Sequence, residues 1–106
     1  MKKIKSMVTE YPDICCICGR IAEAEHHLIF GNLRQLADTD GITVGICHEH
    51  HTGPGRALDR IHDNPAAESL SKIAGQLAWE KHAVAGGMTE VDARKAFMSR
   101  YGKSFL

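Results

Sequence analysis

Four cysteine and histidine residues in two short motifs could hold one metal ion. Cys15 and Cys18 form a C-x-x-C motif that Gly19 follows, and Cys47 and His50 form a later C-x-x-H motif. Glycine tolerates the positive φ that a sharp backbone turn around an ion requires. Three thiolates and one imidazole suit tetrahedral zinc, and four protein ligands are typical of a structural site. The spacing therefore predicts a structural zinc site.

The register of this zinc site is open at two positions. Cys16 could replace Cys15 as a ligand. The resulting C-x-C motif is less suited than C-x-x-C to form a knuckle, a tight turn that points two ligands at one ion. The fourth ligand could be His48, His50 or His51, of which His50 has the favoured spacing. Disulfides are disfavoured, because neighbouring cysteines hold their Cα atoms in poor positions for a bridge. In a reduced compartment, clustered cysteines indicate metal binding or catalysis.

Any chemistry has to come from other histidines, because four protein ligands leave zinc no open position. Adjacent strand residues face opposite sides, so His26 and His27 should have different roles. One could ligate a metal while the other meets a substrate. His51 directly follows the second zinc motif, so the zinc site would fix its position. These histidines form a candidate second metal site.

A short β-hairpin is predicted to position these residues. Residues 21–31 favour a strand that ends at Gly31, and residues 42–47 are β-branched and predict a second, antiparallel strand. The polar stretch 32–41 between them is expected to be a loop with one helical turn. After the glycine-rich break at 53–55, one or two helical turns are expected.

Two helices are predicted in the C-terminal part. Asp63 or Asn64 can cap the first, and Pro65 suits its first position. Gly86-Gly87 ends that helix, and Thr89 can cap the second. Apolar residues at helical spacing predict the buried faces of both helices, namely Leu70, Ile73, Ala74, Leu77, Ala78, Val91, Phe97, Met98 and Tyr101.

The length of 106 residues suits one domain, with a core at about 14–64 and helices at about 65–101. The formal net charge is zero with neutral histidines, so bulk attraction to nucleic acid is weak. No apolar run reaches the ~18 residues of a membrane span. The start, MKKIKSMVTE, lacks the apolar segment of a secretory signal. We therefore expect a cytoplasmic protein without membrane contact.

Three stretches resemble the HNH endonuclease superfamily, namely C-x-x-C-G, then EHHLIFG, then DGITVGIC-x-EHH. The chain is most similar to small phage-type HNH proteins, which also tend to carry a later H-x-N, matched by His62-Asp63-Asn64. The resemblance covers residues 15–64 well and the C-terminal helices loosely. It implies an α+β fold with a zinc-stabilised ββα-metal core, and a bacterial host cell with phage or prophage origin.

Carried over residue by residue, the resemblance implies a metal-dependent endonuclease that hydrolyses phosphodiester bonds in DNA. His26 and His51 would hold the catalytic divalent ion, and His27 would be the general base that deprotonates water. His62 could be a third ligand or a phosphate contact. Because imidazole ligands favour Mn²⁺ or Ni²⁺ over Mg²⁺, we expect the best cleavage with the first two.

The chain departs from the family in the middle position of the motif. Many members carry an asparagine near the start of the second strand, where Asp40-Gly41-Ile42 stands here. Asp40 or Asn32 could brace the hairpin loop instead. Three arginines could contact phosphates, namely Arg34, Arg56 and Arg60.

Two other functional classes fit parts of the sequence. A non-catalytic zinc module that binds nucleic acid would use the same zinc motifs, but it would not need the extra histidines. A structure-selective junction resolvase is a variant within the nuclease class and would favour a homodimer. A small-molecule zinc hydrolase is disfavoured, because the predicted zinc shell is closed.

Overall fold

A computed structural model describes residues 5–106, so the expectations for the first four residues lie outside the described range. A two-stranded antiparallel sheet pairs β1 (Ala24–His27) with β2 (Thr43–Ile46). In the register of this sheet, His26 is paired with Val44 and His27 is paired with Thr43. The predicted hairpin is therefore confirmed.

The first strand ends earlier than the sequence predicts. It stops at His27, whereas Gly31 was the expected end. Leu28 and Ile29 leave the sheet because their side chains enter the main hydrophobic core, where both are buried. The backbone amide of Leu28 still donates to the carbonyl of Ile42, at 3.0 Å, so backbone pairing continues one residue beyond the two strands.

Four α-helices accompany the hairpin within residues 5–106, namely α1 (Arg34–Asp40), α2 (His48–His51), α3 (Pro65–Ala85) and α4 (Glu90–Tyr101). The architecture is α+β, as predicted. Stretch 32–41 contains more helix than expected, because α1 continues for seven residues until Gly41 turns the backbone with φ +75°. Residues 56–63 form two 3-10 turns, Ala57–Asp59 and Ile61–Asp63. None of the described helices combines the length and apolarity needed to span a bilayer.

The predicted helix caps are confirmed. The side chain of Asn64 accepts hydrogen bonds from the amides of Ala66 and Ala67 at the start of α3. The hydroxyl of Thr89 accepts from the amide of Asp92 at the start of α4. Such caps satisfy amides that have no partner within the helix.

The buried face of α3 differs from the predicted one. Leu70 and Leu77 are 64% and 52% exposed, and the face that packs inward carries Ser71, Gly75 and Gln76. A Cβ on Gly75 would lie 2.9 Å from Cγ1 of Ile29, so glycine allows a close approach that a larger residue would block. On α4, Phe97 and Tyr101 are buried as predicted, whereas Val91 and Met98 are exposed.

Asp40 ties the end of α1 to both long helices. Its carboxylate accepts from Nε1 of Trp79 at 3.1 Å, from the guanidinium of Arg100 at 2.6 and 2.7 Å, and from the hydroxyl of Tyr101 at 2.8 Å. Burial acts to raise the pKa of Asp40, but the hydrogen bonds from Arg100 and Tyr101 outweigh it and lower the pKa. Asp40 and Asn32 are the two residues predicted to brace the hairpin loop. Of these, Asp40 makes the contacts described above, whereas Asn32 is exposed.

Candidate metal centre and adjoining cavity

The residues of the predicted zinc site come together at one end of the hairpin. The ligand atoms of Cys15, Cys18, Cys47 and His50 all lie within 4.8 Å of one another. The Sγ atoms of Cys18 and Cys47 are 3.7 Å apart, and Nδ1 of His50 is 3.2 Å from Sγ of Cys47. Around tetrahedral zinc, with Zn–S bonds of ~2.3 Å, two sulfurs lie roughly 3.8 Å apart. The four residues therefore fit a metal ion, zinc in particular.

The first knuckle is a tight turn held by its own backbone. The amide of Cys15 donates to the carbonyl of Arg20 at 2.7 Å, and the amide of Gly19 donates to the carbonyl of Cys15 at 3.0 Å. Gly19 has φ +78°, which explains the glycine after the second cysteine. The side chain of Cys16 is exposed, and its amide donates to the carbonyl of Gly45 at 2.9 Å. The turn thus directs Cys15 and Cys18 to the cluster.

Arg20 is a charged neighbour of this cluster that sequence reasoning missed. Its guanidinium donates to Sγ of Cys18 at 3.4 Å and to the carboxylate of Glu49 at 2.8 Å. The hydrogen bond from Arg20 is the main cause that lowers the pKa of Cys18 to about 6. Cys18 therefore favours the thiolate, which is the form that binds metal.

A second cluster joins His26, His51 and His62, whose ligand atoms also lie within 4.8 Å of one another. Their ring centroids are 5.0 to 5.6 Å apart. His26 comes from β1, His51 from α2, and His62 from the turn Ile61–Asp63. Neighbouring helix residues point about 100° apart, so α2 directs His50 to the first cluster and His51 to the second.

Ser71 determines which nitrogen of His26 is available. The hydroxyl of Ser71 donates to the carbonyl of Leu28 at 2.7 Å, so its oxygen accepts from Nε2–H of His26 at 3.0 Å. This leaves the lone pair on Nδ1, which is buried without a hydrogen-bond partner in the described chain. Burial, and then the neighbouring histidines His62 and His51, lower the pKa of His26 to about 3. A neutral ring with a buried lone pair next to two other imidazoles fits a metal ion.

His27 has different partners, as the alternation along the strand predicts. Its Nε2 lies 2.9 Å from Oδ1 of Asp38 and 3.8 Å from Oε1 of Glu25. A carboxylate only accepts, so the neutral form of His27 carries its proton on Nε2 and its lone pair on Nδ1. Asp38 lies on α1 and had no predicted role. Its distance of 11 residues from His27 explains why spacing alone does not reveal it.

One cavity of about 240 Å³ connects the two histidine environments. His27, His51 and His62 all line it, together with Glu25, Phe30, Arg34 and Thr52. The chain therefore brings a candidate metal cluster and a carboxylate-bound histidine to the same concave surface.

The three predicted phosphate contacts have different surroundings. Arg34 lines this cavity. Arg56 pairs with Asp59 at 3.3 Å, and Arg60 pairs with Asp63 at 2.5 Å while it also donates to the carbonyls of the Gly53–Gly55 turn. Neither of these two lines the cavity, and the side chain of Arg60 stabilises its own loop.

In comparisons with known proteins, no family model matches this chain, and neither does a curated protein or a solved structure. The resemblance to HNH endonucleases thus stays a prediction.

Proposed function

We propose that the protein is a metal-dependent endonuclease of the HNH type that hydrolyses phosphodiester bonds in DNA. The observation that carries this proposal is the pair of adjacent histidines with different partners. His26 belongs to a three-histidine cluster, and His27 is hydrogen-bonded to a carboxylate beside the same cavity. The order of β1, β2 and α2 is also the order that a ββα-metal core requires.

His26, His51 and His62 are the residues that would hold the catalytic ion. When bound, a divalent ion would stabilise the negative charge that develops on the phosphate during cleavage. Three protein ligands leave coordination positions open, unlike the closed cysteine-rich cluster. Three imidazoles suit Mn²⁺ or Ni²⁺ better than Mg²⁺, which prefers oxygen ligands.

His27 would act as the general base. Asp38 holds the proton of His27 on Nε2 and orients the ring, so Nδ1 can take a proton from the attacking water. The imidazolium that forms would then be stabilised by the carboxylate of Asp38. Histidine suits this role because an imidazole ring can accept and release a proton under physiological conditions.

Cations near the cavity would bind the DNA backbone. Arg34 lines the cavity, and Nζ of Lys72 lies 4.9 Å from the centroid of the Phe30 ring, which also lines it. Since the net charge of the chain is zero, such local cations have to supply the attraction to phosphate. Contacts to phosphate carry little sequence information, so we expect weak sequence preference.

Cleavage of plasmid DNA with added Mn²⁺ tests the proposal. We compare the wild type with His27→Ala and with His82→Ala, an exposed histidine on α3 that serves as the matched control. His27→Ala should lose roughly 10² to 10⁴ in cleavage rate, as expected for loss of a general base, and His82→Ala should keep its rate. Zinc content and circular dichroism show whether both variants are folded.

Three results would each contradict part of the proposal. Undiminished cleavage by a folded His27→Ala variant would exclude the assigned base. DNA binding without cleavage in Mn²⁺, Ni²⁺ and Mg²⁺ would instead support a non-catalytic zinc module. Cleavage in Mg²⁺ that equals or exceeds cleavage in Mn²⁺ would count against three imidazole ligands.

A further inference from the structure

A third group of side chains that could bind a metal lies at Nε2 of His27, away from the lone pair on Nδ1. Glu25 and His27 share one face of β1, and Asp38 reaches them from α1. The ligand atoms of these three residues all lie within 4.8 Å of one another. This group differs from the cluster at His26, because it combines one imidazole with two carboxylates.

The geometry of this group suits an ion of the size of Zn²⁺. With metal–ligand bonds of ~2.0 to 2.1 Å, ligand atoms around a tetrahedral ion lie roughly 3.3 Å apart. The distances from Nε2 of His27 are 2.9 Å to Asp38 and 3.8 Å to Glu25, which lie on either side of that value. Small side-chain rotations would therefore complete the site.

Charge and access favour the same occupant. Two carboxylates balance the double positive charge of a divalent ion, so its transfer from water costs less. The side chains of Glu25 and Asp38 are 29% and 58% exposed, whereas that of His27 is 8% exposed. An ion can therefore enter from solvent on the carboxylate side without opening the core.

We propose that Glu25, His27 and Asp38 form a second divalent-ion site that inhibits the protein when zinc is in excess. The inhibition, but not the ion site, rests on the proposed function. An ion on Nε2 of His27 takes the place of the proton there. The neutral ring keeps one proton, which moves through solvent from Nε2 to Nδ1. Nδ1 then has no lone pair and cannot accept a proton from water.

This site should be weaker than the cysteine-rich cluster. Three thiolates and an imidazole form a closed set for zinc, whereas Asp38 must give up its hydrogen bond to His27 before an ion can bind. The protein would therefore be active at low zinc and lose activity as zinc rises.

Counting bound zinc by equilibrium dialysis tests the ion site without any cleavage assay. The wild type should bind three zinc ions per chain at saturation, one in each cluster. Glu25→Gln and Asp38→Asn should weaken the last ion roughly tenfold, because each removes one ligand charge. Glu10→Gln, which changes an exposed carboxylate outside the three clusters, is the matched control and should bind like the wild type.

Nitrogen NMR of the His27 ring provides a second measurement of zinc binding at this site. At low zinc, the proton should lie on Nε2, and at saturating zinc it should lie on Nδ1. Saturation of the wild type at two zinc ions, or unchanged zinc binding in both carboxylate variants, would overturn the ion site. A His27 ring that keeps its proton on Nε2 at saturation would do the same.

Zinc titration of Mn²⁺-supported cleavage tests the inhibition. For each protein, the rate is divided by its own rate without added zinc. The zinc concentration for half inhibition should rise roughly tenfold in Glu25→Gln and stay unchanged in Glu10→Gln. Equal half-inhibition in the wild type and Glu25→Gln would overturn the inhibitory role. Complete absence of cleavage would reject the nuclease proposal instead, while dialysis would still decide the ion site.

Discussion

The Nε2 atom of His26 lies 3.0 Å from the Oγ atom of Ser71, and this contact selects the free nitrogen of the histidine. The proton of Ser71 is already committed to the carbonyl of Leu28, so Ser71 can only accept from His26. A residue on the long helix α3 thus sets the tautomer of a residue on β1. The hydrogen bond to the second nitrogen of a metal-ligating histidine fixes its tautomer and ring orientation and so affects metal affinity.

Ser71→Ala should weaken metal binding at the cluster of His26, His51 and His62. Without this acceptor, neither the orientation of the His26 ring nor the position of its proton is fixed. We therefore expect affinity for Co²⁺ to fall roughly 10- to 100-fold. Titration with Co²⁺ of protein that holds zinc only in the cysteine-rich site, followed by visible absorption, measures this. Ser69→Ala, at an exposed position of the same helix, is the control. Equal affinity in the two variants would show that Ser71 does not orient His26.

Replacement of Cys18 should remove the tightly bound zinc, whereas replacement of Cys16 should not. Of these two exposed cysteines, only Cys18 belongs to the cluster. Native mass spectrometry after mild chelation should find one zinc ion in the wild type and in Cys16→Ser, and none in Cys18→Ser. Zinc loss from Cys16→Ser would mean that the register of the knuckle is wrong.

The stability difference between wild type and His26→Gln should depend on pH. The pKa of His26 is about 3 in the folded protein, because burial disfavours the charged ring, and ~6.5 when unfolded. Below pH ~6.5, the unfolded chain binds a proton that the folded chain does not bind, so acid destabilises the wild type. The stability of the wild type relative to the variant should fall by roughly 1.5 kcal/mol between pH 6.5 and 5.

Urea unfolding of both proteins, with zinc bound at the cysteine-rich site, measures this difference. The effect of pH on that site is the same in the two proteins and cancels when they are compared. A difference that does not change with pH would contradict the low pKa. If His26→Gln does not fold, the carbon NMR shift of the His26 ring in the wild type tests the low pKa instead. This shift should stay constant from pH 7 to pH 5.

Gly75→Ala should destabilise the protein although alanine is the better helix former. A Cβ at this position would lie 2.9 to 3.1 Å from side-chain atoms of Leu28, Ile29 and Ile42. The resulting overpacking should cost about 1 to 3 kcal/mol, more than the ~1 kcal/mol gained in helix propensity. Gly86→Ala is the control, because its nearest atom is 3.4 Å away and its φ is −82°. Urea unfolding with zinc present should show a loss only for Gly75→Ala.

The sequence alone determined the features that depend on short-range spacing. The four candidate zinc ligands are predictable because they fall in two local motifs, C-x-x-C followed by glycine and C-x-x-H, and the two ligands of each motif are close in the chain. A cap at Asp63 or Asn64 is predictable for the same reason, since a cap bonds amides two and three residues away, and the structure places it at Asn64. The different environments of His26 and His27 follow from the alternation of a strand.

Only the tertiary structure decided the partners of those histidines and the buried face of α3. Ser71 and Asp38 lie 45 and 11 residues from the rings that they contact, and no local pattern marks either one. The apolar pattern of α3 predicted burial of Leu70 and Leu77, yet the helix turns Ser71 and Gly75 inward. The reason is physical: a close backbone approach and the satisfaction of buried polar atoms outweighed the burial of two leucines. Such terms exist only once distant segments have packed together.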